Sequence, residues 1–388
     1  MYLFLLGRNP DLSILELFNY LDINNIKYSV FKRNTQYVIL DIVNKNLNFK
    51  KIIQELGGIK RIVNIFKTFT ELNSKFVNFL PFNYGKKFNF TVSAINLSSD
   101  DTEYVIDVLK NDFKSSRTKA IYKKPRKHDK IRETVVNPNN YFSWKLDTNG
   151  FELFVINDNN NYYFGNTVAC YNSKNDIFLD KHRPVKKNLY STSFRLVKIM
   201  INLLGLEKNK TLLDPFCGTG SFLIQGLLSG YNVIGSDKSS EMYDVSKKNV
   251  SWAIKEFKLK NTYKIINTDS SKTVIKSDAV VFEPYMGPFL NKIPNDFRAK
   301  KLVDNLTKLY FNLFKQLSNS LKSKSKVVCI LPEFKTYEKN LYKINHSVFF
   351  NNNFTLVDLS KYDISNPIGY SSPSGSKINR YIYILEKK

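Results

Sequence analysis

Nine residues in the middle of the chain, Leu213-Asp214-Pro215-Phe216-Cys217-Gly218-Thr219-Gly220-Ser221, constrain its fold more than any other segment. The apolar run Thr211 to Leu213 reads as a short buried strand. The chain breaks at Pro215 into a Gly-Thr-Gly turn, and a helical pattern follows from Ser221 to Leu228. Strand, glycine turn and helix in this order open a doubly wound sheet, with the turn at the carboxyl end of the strand, where such sheets take ligands. Gly218 and Gly220 carry no side chain, so a ligand can approach the backbone closely. About twenty residues further on, a second strand, Asn232 to Gly235, ends in Asp237. A carboxylate there is placed to accept both hydroxyl protons of a ribose.

A dinucleotide is the competing ligand. Its phosphate cradle needs a third glycine, and a phosphate loop needs a Gly-Lys-Ser/Thr ending; this turn has neither. It carries Asp214 ahead of the glycines instead. An anion there repels a pyrophosphate and welcomes an amine or a sulfonium. A cofactor with a ribose and a positive charge but no phosphate is S-adenosylmethionine. The plain alternative is a strand-turn-helix corner that binds nothing.

At 388 residues the chain is expected to hold two or three domains, and 43% hydrophobic residues suffice to bury their cores. No apolar run approaches a membrane span, and the apolar start, Met1 to Gly7, is too short for a signal sequence. Cys170, Cys217 and Cys329 lie far apart in sequence, which favours a reducing compartment, and three scattered histidines argue against a metal site. Cys217 reads better as a small packing residue than as a nucleophile. The net charge of +25 points to a polyanion, although a Lys-, Asn- and Ile-rich composition of the kind an AT-rich genome produces raises the charge by itself. Its distribution says more. Residues 114–132 read KSSRTKAIYKKPRKHDKIR, with Asp129 as the single acid, and Lys181, Arg183, Lys186 and Lys187 form a second cluster. Both lie outside the cofactor-binding half, as expected of an enzyme that holds a phosphate backbone apart from its catalytic unit.

Along the first seventy or so residues, strands are expected at Tyr2 to Leu6, Tyr28 to Val30, Tyr37 to Ile42 and Ile62 to Phe66. Helices are expected at Leu12 to Leu21 and at Phe49 to Leu56, the latter stopped by Gly57-Gly58. A second α+β module carries strands at Phe88 to Ala94, Phe151 to Ile156 and Tyr162 to Cys170, a helix at Thr102 to Asp112, and the basic run. A polar stretch, Asn172 to Asn188, links it to a helix at Phe194 to Leu204. Beyond the glycine turn come a helix at Glu241 to Phe257, a strand at Tyr263 to Asn267 leading to Asp269, and a strand at Ala279 to Phe282 running into Glu283-Pro284-Tyr285-Met286-Gly287-Pro288. A helix within Ala299 to Leu321, a strand at Lys326 to Leu331 and a closing pair, Phe354 to Leu359 and Arg380 to Leu385, complete an α/β fold with a mostly parallel sheet and one antiparallel strand. Ser365 to Ser376 is a loop inside the last hairpin, either a plain crossover or a lid beside the substrate pocket.

These residues together resemble a class I S-adenosylmethionine-dependent methyltransferase. More narrowly, they resemble the THUMP-domain tRNA guanine-N2-methyltransferases that act on guanine 10. The resemblance rests on Asp214 to Ser221, Asp237, Asp269, the proline-containing fourth strand end, and Arg183-Pro184 followed by Ser191-Thr192-Ser193. In the first half it rests on domain order and on the ending FGNTVACYN. It implies a ferredoxin-like unit at 1–72, a THUMP-type RNA-binding module at 73–172, a linker at 173–193 and a Rossmann-like domain with a seven-stranded sheet at 194–388. The cofactor set it implies is Asp214, Phe216, Gly218, Thr219, Gly220, Asp237, Asp269 and Ser270. Asp269 would accept from the adenine amine, and it can equally cap a helix with Ser270. The implied RNA set is Lys123, Lys124, Arg126, Lys127, Lys130 and Arg183. The expected partner is tRNA in the cytoplasm, without a membrane or a resident metal. The chain is expected as a monomer, with a small activator subunit left open.

The family's fourth strand ends Asp/Asn-Pro-Pro-Tyr-Gly. Counting from Asp278 and from Gly287 gives one ungapped register: Glu283 replaces the acid, Pro284 is kept, Tyr285 replaces the second proline and Met286 the aromatic. The other register keeps Pro284-Tyr285 as the Pro-Tyr pair and leaves Phe282 at the acid position. In the first, Glu283 with the Pro284 carbonyl holds the amine protons of a guanine, whose nitrogen lone pair is otherwise tied up with the ring. Tyr285 faces the flipped base. Two other classes stay open: an RNA-binding protein that keeps the fold as a scaffold, and a DNA amino-methyltransferase, against which the basic α+β first half argues.

Overall fold

The computed structural model describes residues 1–44, 46–81, 87–125, 133–187, 192–370 and 376–388. Arg126, Lys127, Lys130 and Ser191 lie outside the described residues, as do residues 371–375 of the expected hairpin loop. The chain divides into two units, one of residues 1–7, 25–55 and 59–173, the other of residues 8–24, 56–58 and 174–388.

The first unit is built on a single nine-stranded sheet. In chain order the elements are β1 (Tyr2–Leu6), α1 (Pro10–Ile23, which counts with the second unit), β2 (Tyr28–Arg33), β3 (Tyr37–Ile42), α2 (Phe49–Glu55), β4 (Ile59–Phe69), β5 (Lys87–Ile95), α3 (Ser99–Ser115), β6 (Lys119–Tyr122), β7 (Glu133–Thr134), α4 (Pro138–Ser143), β8 (Gly150–Asn157) and β9 (Tyr162–Cys170). Their spatial order is β2-β3-β1-β4-β9-β8-β5-β6, with β7 on β5. The sheet runs across residue 72, where the sequence suggested a boundary between two modules, because β4 pairs with β9 from Arg61↔Cys170 to Phe69↔Tyr162.

A buried ion pair ties β4 to β8. Arg61 donates from Nε to Glu152 at 3.1 Å and from Nη2 to the Val136 carbonyl at 2.7 Å. Glu152 also accepts from Thr167 at 2.6 Å and from the Ser93 hydroxyl. With both charges fully buried, the hydrogen bonds around them offset the desolvation that an isolated pair would suffer. The expected strands and the helix at Thr102 to Asp112 are present. The sequence reading had no β6, which lies inside the basic run.

The second unit continues with α5 (Lys174–His182), α6 (Phe194–Leu203), β10 (Thr211–Asp214), α7 (Ser221–Leu228), β11 (Asn232–Asp237), α8 (Ser240–Phe257), β12 (Tyr263–Asn267), β13 (Ala279–Phe282), α9 (Asp296–Ser320), β14 (Lys326–Lys335), β15 (Leu341–Lys343), α10 (Ser347–Phe350), β16 (Phe354–Leu356), β17 (Ile368–Tyr370) and β18 (Ile378–Lys387). Its main sheet has the order β12-β11-β10-β13-β14-β18-β16. β10, β11, β12, β13 and β14 run parallel, and β18 runs antiparallel between β14 and β16. This is the mostly parallel seven-stranded sheet with one antiparallel strand. β15 adds to β14 and β17 to β18.

Local signals set these elements. The Ser239 hydroxyl caps α8 by accepting from Met242 N at 3.3 Å, and Asn295 caps α9 by accepting from Arg298 N at 2.9 Å. The parallel strands read as short apolar runs because helices cover both faces. The polar stretch expected as a linker contains α5, whose Leu179 is buried. Asp176 of α5 pairs with Lys198 of α6 at 3.8 Å. Helix α1 joins this unit through Glu16, whose carboxylate accepts from Gly57 N at 2.8 Å, Gly58 N at 2.7 Å and Asn202 at 2.7 Å. A Cβ at Gly57 would meet the Arg195 carbonyl oxygen at 2.3 Å, so the Gly57-Gly58 pair is a packing site as well as a helix stop.

Candidate active site

Because β10 to β13 run parallel, their carboxyl ends lie on one side of the sheet. The strand order reverses between β10 and β13, which makes this the switch point at which such sheets take ligands. Asp214 ends β10, Asp237 ends β11, Asp269 follows β12 by two residues and Glu283 is the first residue beyond β13. The four acids expected from the sequence therefore converge at one edge.

The Gly-Thr-Gly turn has the backbone its glycines permit: φ is +47° at Gly218 and +84° at Gly220. It folds back over β11, with Cys217 N donating to the Ser236 carbonyl at 2.9 Å and Gly218 N to Asp237 Oδ2 at 3.1 Å. A side chain at Gly235 would meet Leu223 Cδ1 at 2.5 Å, so a glycine is needed under the turn. Asp237 Oδ1 accepts from Ser239 N at 2.9 Å. A carboxylate offers about four acceptor sites, so lone pairs remain for two ribose hydroxyls. Thr219 is buried, and its carbonyl accepts from Asn249 at 2.9 Å. Cys217 is buried too, and burial followed by the nearby Asp214 raises its thiol far above the usual range, as suits a packing residue.

Asp214 is 1% exposed. Its Oδ1 accepts from Phe216 N at 3.0 Å, while its Oδ2 is buried without a hydrogen-bond partner among the described residues. Burial pushes its carboxyl well above the usual range. The Phe216 N–H pulls back, and the charges of Asp237 and Glu283 add to the rise. An orphaned buried carboxylate oxygen at the switch point fits a cationic ligand, and Asp237 beside it fits a ribose. Asp269 accepts from Ser271 N at 3.0 Å and from Ser271 Oγ at 2.6 Å. Burial works against its charge, but these hydrogen bonds hold it below the usual range. It sits in a turn, so the helix cap with Ser270 is not formed. Ser270 instead pairs through its hydroxyl with Ser236.

At the fourth strand end, Phe282 is fully buried as the last residue of β13, its ring 5.7 Å from that of Phe216. Glu283 is half-buried just beyond it. Its Oε2 accepts from the Thr192 hydroxyl, and its Oε1 lies 3.7 Å from Arg380 Nε. Pro284 is buried and Tyr285 is 54% exposed, its carbonyl held by the Tyr310 hydroxyl at 2.7 Å. The strand therefore ends in a core phenylalanine followed by a half-buried acid. Thr192 lies in the Ser191-Thr192-Ser193 segment that carries part of the family resemblance. Arg380, about a hundred residues downstream of the strand it serves, had no sequence signal.

One expected RNA contact is corrected. Arg183 is 3% exposed, donates from Nη1 to Ser221 Oγ at 3.3 Å, and lies 3.7 Å from Asp180. It is buried against Ser221 at the start of α7, so its guanidinium is not exposed to a phosphate backbone. Of its cluster, Lys187 pairs with Glu241, while Lys181 and Lys186 are exposed. In the first unit Lys124 is exposed and Lys123 half-buried.

Residues 192–279 match the family described as RMKL-like, methyltransferase domain. The matched stretch lies in the second unit and runs from just before α6 to the start of β13. The fold agrees: TrmN from Thermus thermophilus superposes with a TM-score of 0.59 at 12% identity, covering 100% of this chain and 99% of that one. The tRNA (guanine(10)-N2)-dimethyltransferase of Methanothermobacter thermautotrophicus is 33% identical over 111 residues, 27% of this chain and 31% of the relative. The enzyme of the same name from Methanocaldococcus jannaschii is 25% identical over 297 residues, 72% of this chain and 80% of the relative. The chain thus spans about a third of the first two curated relatives it matches, 31% and 30%, and most of a third.

Proposed function

We propose that this chain transfers a methyl group from S-adenosylmethionine to the exocyclic N2 amine of a guanine in tRNA, of the position-10 type. The observation that carries the reading is Glu283 followed by buried Pro284 at the end of the fourth parallel strand, close enough to Asp214 for their charges to interact. The curated relatives, named for guanine-10 N2 dimethylation in tRNA, support the substrate.

Asp214, Phe216, Gly218, Thr219, Gly220, Asp237, Asp269 and Ser270 are the residues that would hold the donor. When bound, it supplies an electrophilic methyl group on a sulfonium. Glu283 accepts an N–H of the target amine, raises electron density on the nitrogen, and takes the proton as the nitrogen becomes cationic. The Pro284 carbonyl accepts the second N–H. Tyr285, half-exposed beside them, offers a ring face to the unstacked base, so in-line positioning supplies much of the rate. The first unit, with Lys123 and Lys124 in its basic run, grips the RNA backbone.

The reading is tested on tRNA nucleosides from a strain lacking the gene. N2-methylated guanosine is expected to fall and to return on complementation with wild type but not with Glu283→Ala. A nucleoside profile unchanged by the deletion would remove the proposal.

A further inference from the structure

We infer that Arg380 is a positioning residue for methyl transfer, and that Arg380 and Thr192 together fit this site to a glutamate. The inference rests on Glu283 being the amine acceptor.

A glutamate has one more rotatable bond than an aspartate, so an acceptor of this length needs to be held from outside its own backbone to keep a reactive orientation. Two neighbours from distant parts of the second unit do this. The Thr192 hydroxyl, just ahead of α6, donates to Oε2. Arg380 reaches Oε1 from β18. The base of Arg380 is fixed, since its backbone pairs with Pro332 of β14 on one side and Tyr370 of β17 on the other. Arg380 and Glu283 are each about a quarter exposed, 26% and 25%, so the pair faces the site without being sealed from it.

The two contacts differ in kind. The hydroxyl contact is a hydrogen bond, whereas 3.7 Å to Nε is an ion-pair separation beyond hydrogen-bond range. Oε1 is therefore oriented by charge and, among the described residues, accepts no hydrogen bond, which suits it to a substrate N–H, and Oε2 is the anchored oxygen. A guanidinium is always charged and planar, which suits it to hold a carboxylate at a fixed angle. Tyr370 and Arg8 stand in the same electrostatic group: Arg8 and Arg380 favour the ionised Tyr370 and Glu283 opposes it, while burial, the largest influence, raises its hydroxyl.

The test is steady-state methylation of tRNA by the full-length protein, with donor binding and thermal unfolding followed for each variant. Arg380→Ala is expected to lower kcat by roughly 10- to 100-fold, the scale of an acceptor displaced by about an ångström, with KM for tRNA and for the donor unchanged. Arg380→Lys, or added guanidinium with Arg380→Ala, should recover part of the loss. In a Glu283→Asp background, where the shorter carboxylate falls short of Arg380, the effect of Arg380→Ala should shrink. Arg380→Gln carries the comparison should Arg380→Ala lose its fold. Wild-type kcat in Arg380→Ala, or a loss expressed only as a higher KM for tRNA, would overturn the positioning role. If Glu283→Ala is dead while Arg380→Ala is fully active, the acceptor reading stands and this inference falls. A fully active Glu283→Ala removes both.

Discussion

Asp214 places an anion where burial resists one, and its Oδ2, without a partner among the described residues, leaves that cost uncompensated until a cation arrives. Because the folded chain holds this proton more tightly than the unfolded chain, stability falls as pH climbs from the ordinary carboxylate value of about 4 toward the raised value of Asp214. Below that window both states are protonated and the effect vanishes. Denaturant titrations across it should show a declining limb that Asp214→Asn flattens; an identical limb in the variant would assign it to another group. Within the same window, donor binding should release a proton, read by calorimetry as a heat that varies with the ionisation enthalpy of the buffer. The placement of Asp214, Asp237 and Glu283 was legible in the sequence because each sits at or just beyond the end of an apolar strand. Arg380 and the burial of Arg183 were not. Both depend on which distant segment the fold brings alongside, and local pattern carries no record of that.

At the level of elements, the turn and α7 work as one piece with β10 and β11. Helix α7 lies so close to the sheet that a Cβ at Gly226 would stand 2.8 Å from Val233 Cγ1 and 3.2 Å from Leu212 Cδ2. Alanine is the better helix former by about 1 kcal/mol, but overpacking a tight interface costs about 1–3 kcal/mol, and here the crowding is against a stiff β-branched side chain. Gly226→Ala is therefore expected to destabilise by about 1–2 kcal/mol in urea unfolding. A variant as stable as wild type would mean that α7 can lift from the sheet freely. The second unit read clearly at this scale: α7 has the expected bounds, and α8 starts one residue earlier than expected. Apolar runs between glycine and proline breaks mark buried parallel strands well. The linker helix α5 was missed because it buries only Leu179 and its apolar residues, Ile177, Phe178 and Leu179, form one run without helical spacing. The single sheet of the first unit was missed because strand pairing between β4 and β9, about a hundred residues apart, leaves no local trace.

For the whole molecule the charge of +25 is the dominant long-range property, and it draws any polyanion toward the chain. Neutralising Lys123, Lys124, Arg126 and Lys127 together should reduce the slope of log affinity for tRNA against log salt by about 0.7–0.9 for each phosphate no longer neutralised, with donor affinity unaltered. An unchanged slope would make the run a solvated face. What unites residue, sheet and charge is one reaction, and nucleoside mass spectrometry of a tRNA transcript incubated with the purified protein and S-adenosylmethionine reads it directly. Wild type should form N2-methylguanosine. Glu283→Ala should form it about 100-fold or more slowly, with donor and tRNA still bound, and Glu283→Asp, which keeps an acceptor but falls short of Arg380, should be slower than wild type and faster than Glu283→Ala. A wild-type protein that binds the donor and leaves every guanosine unmethylated would contradict the account.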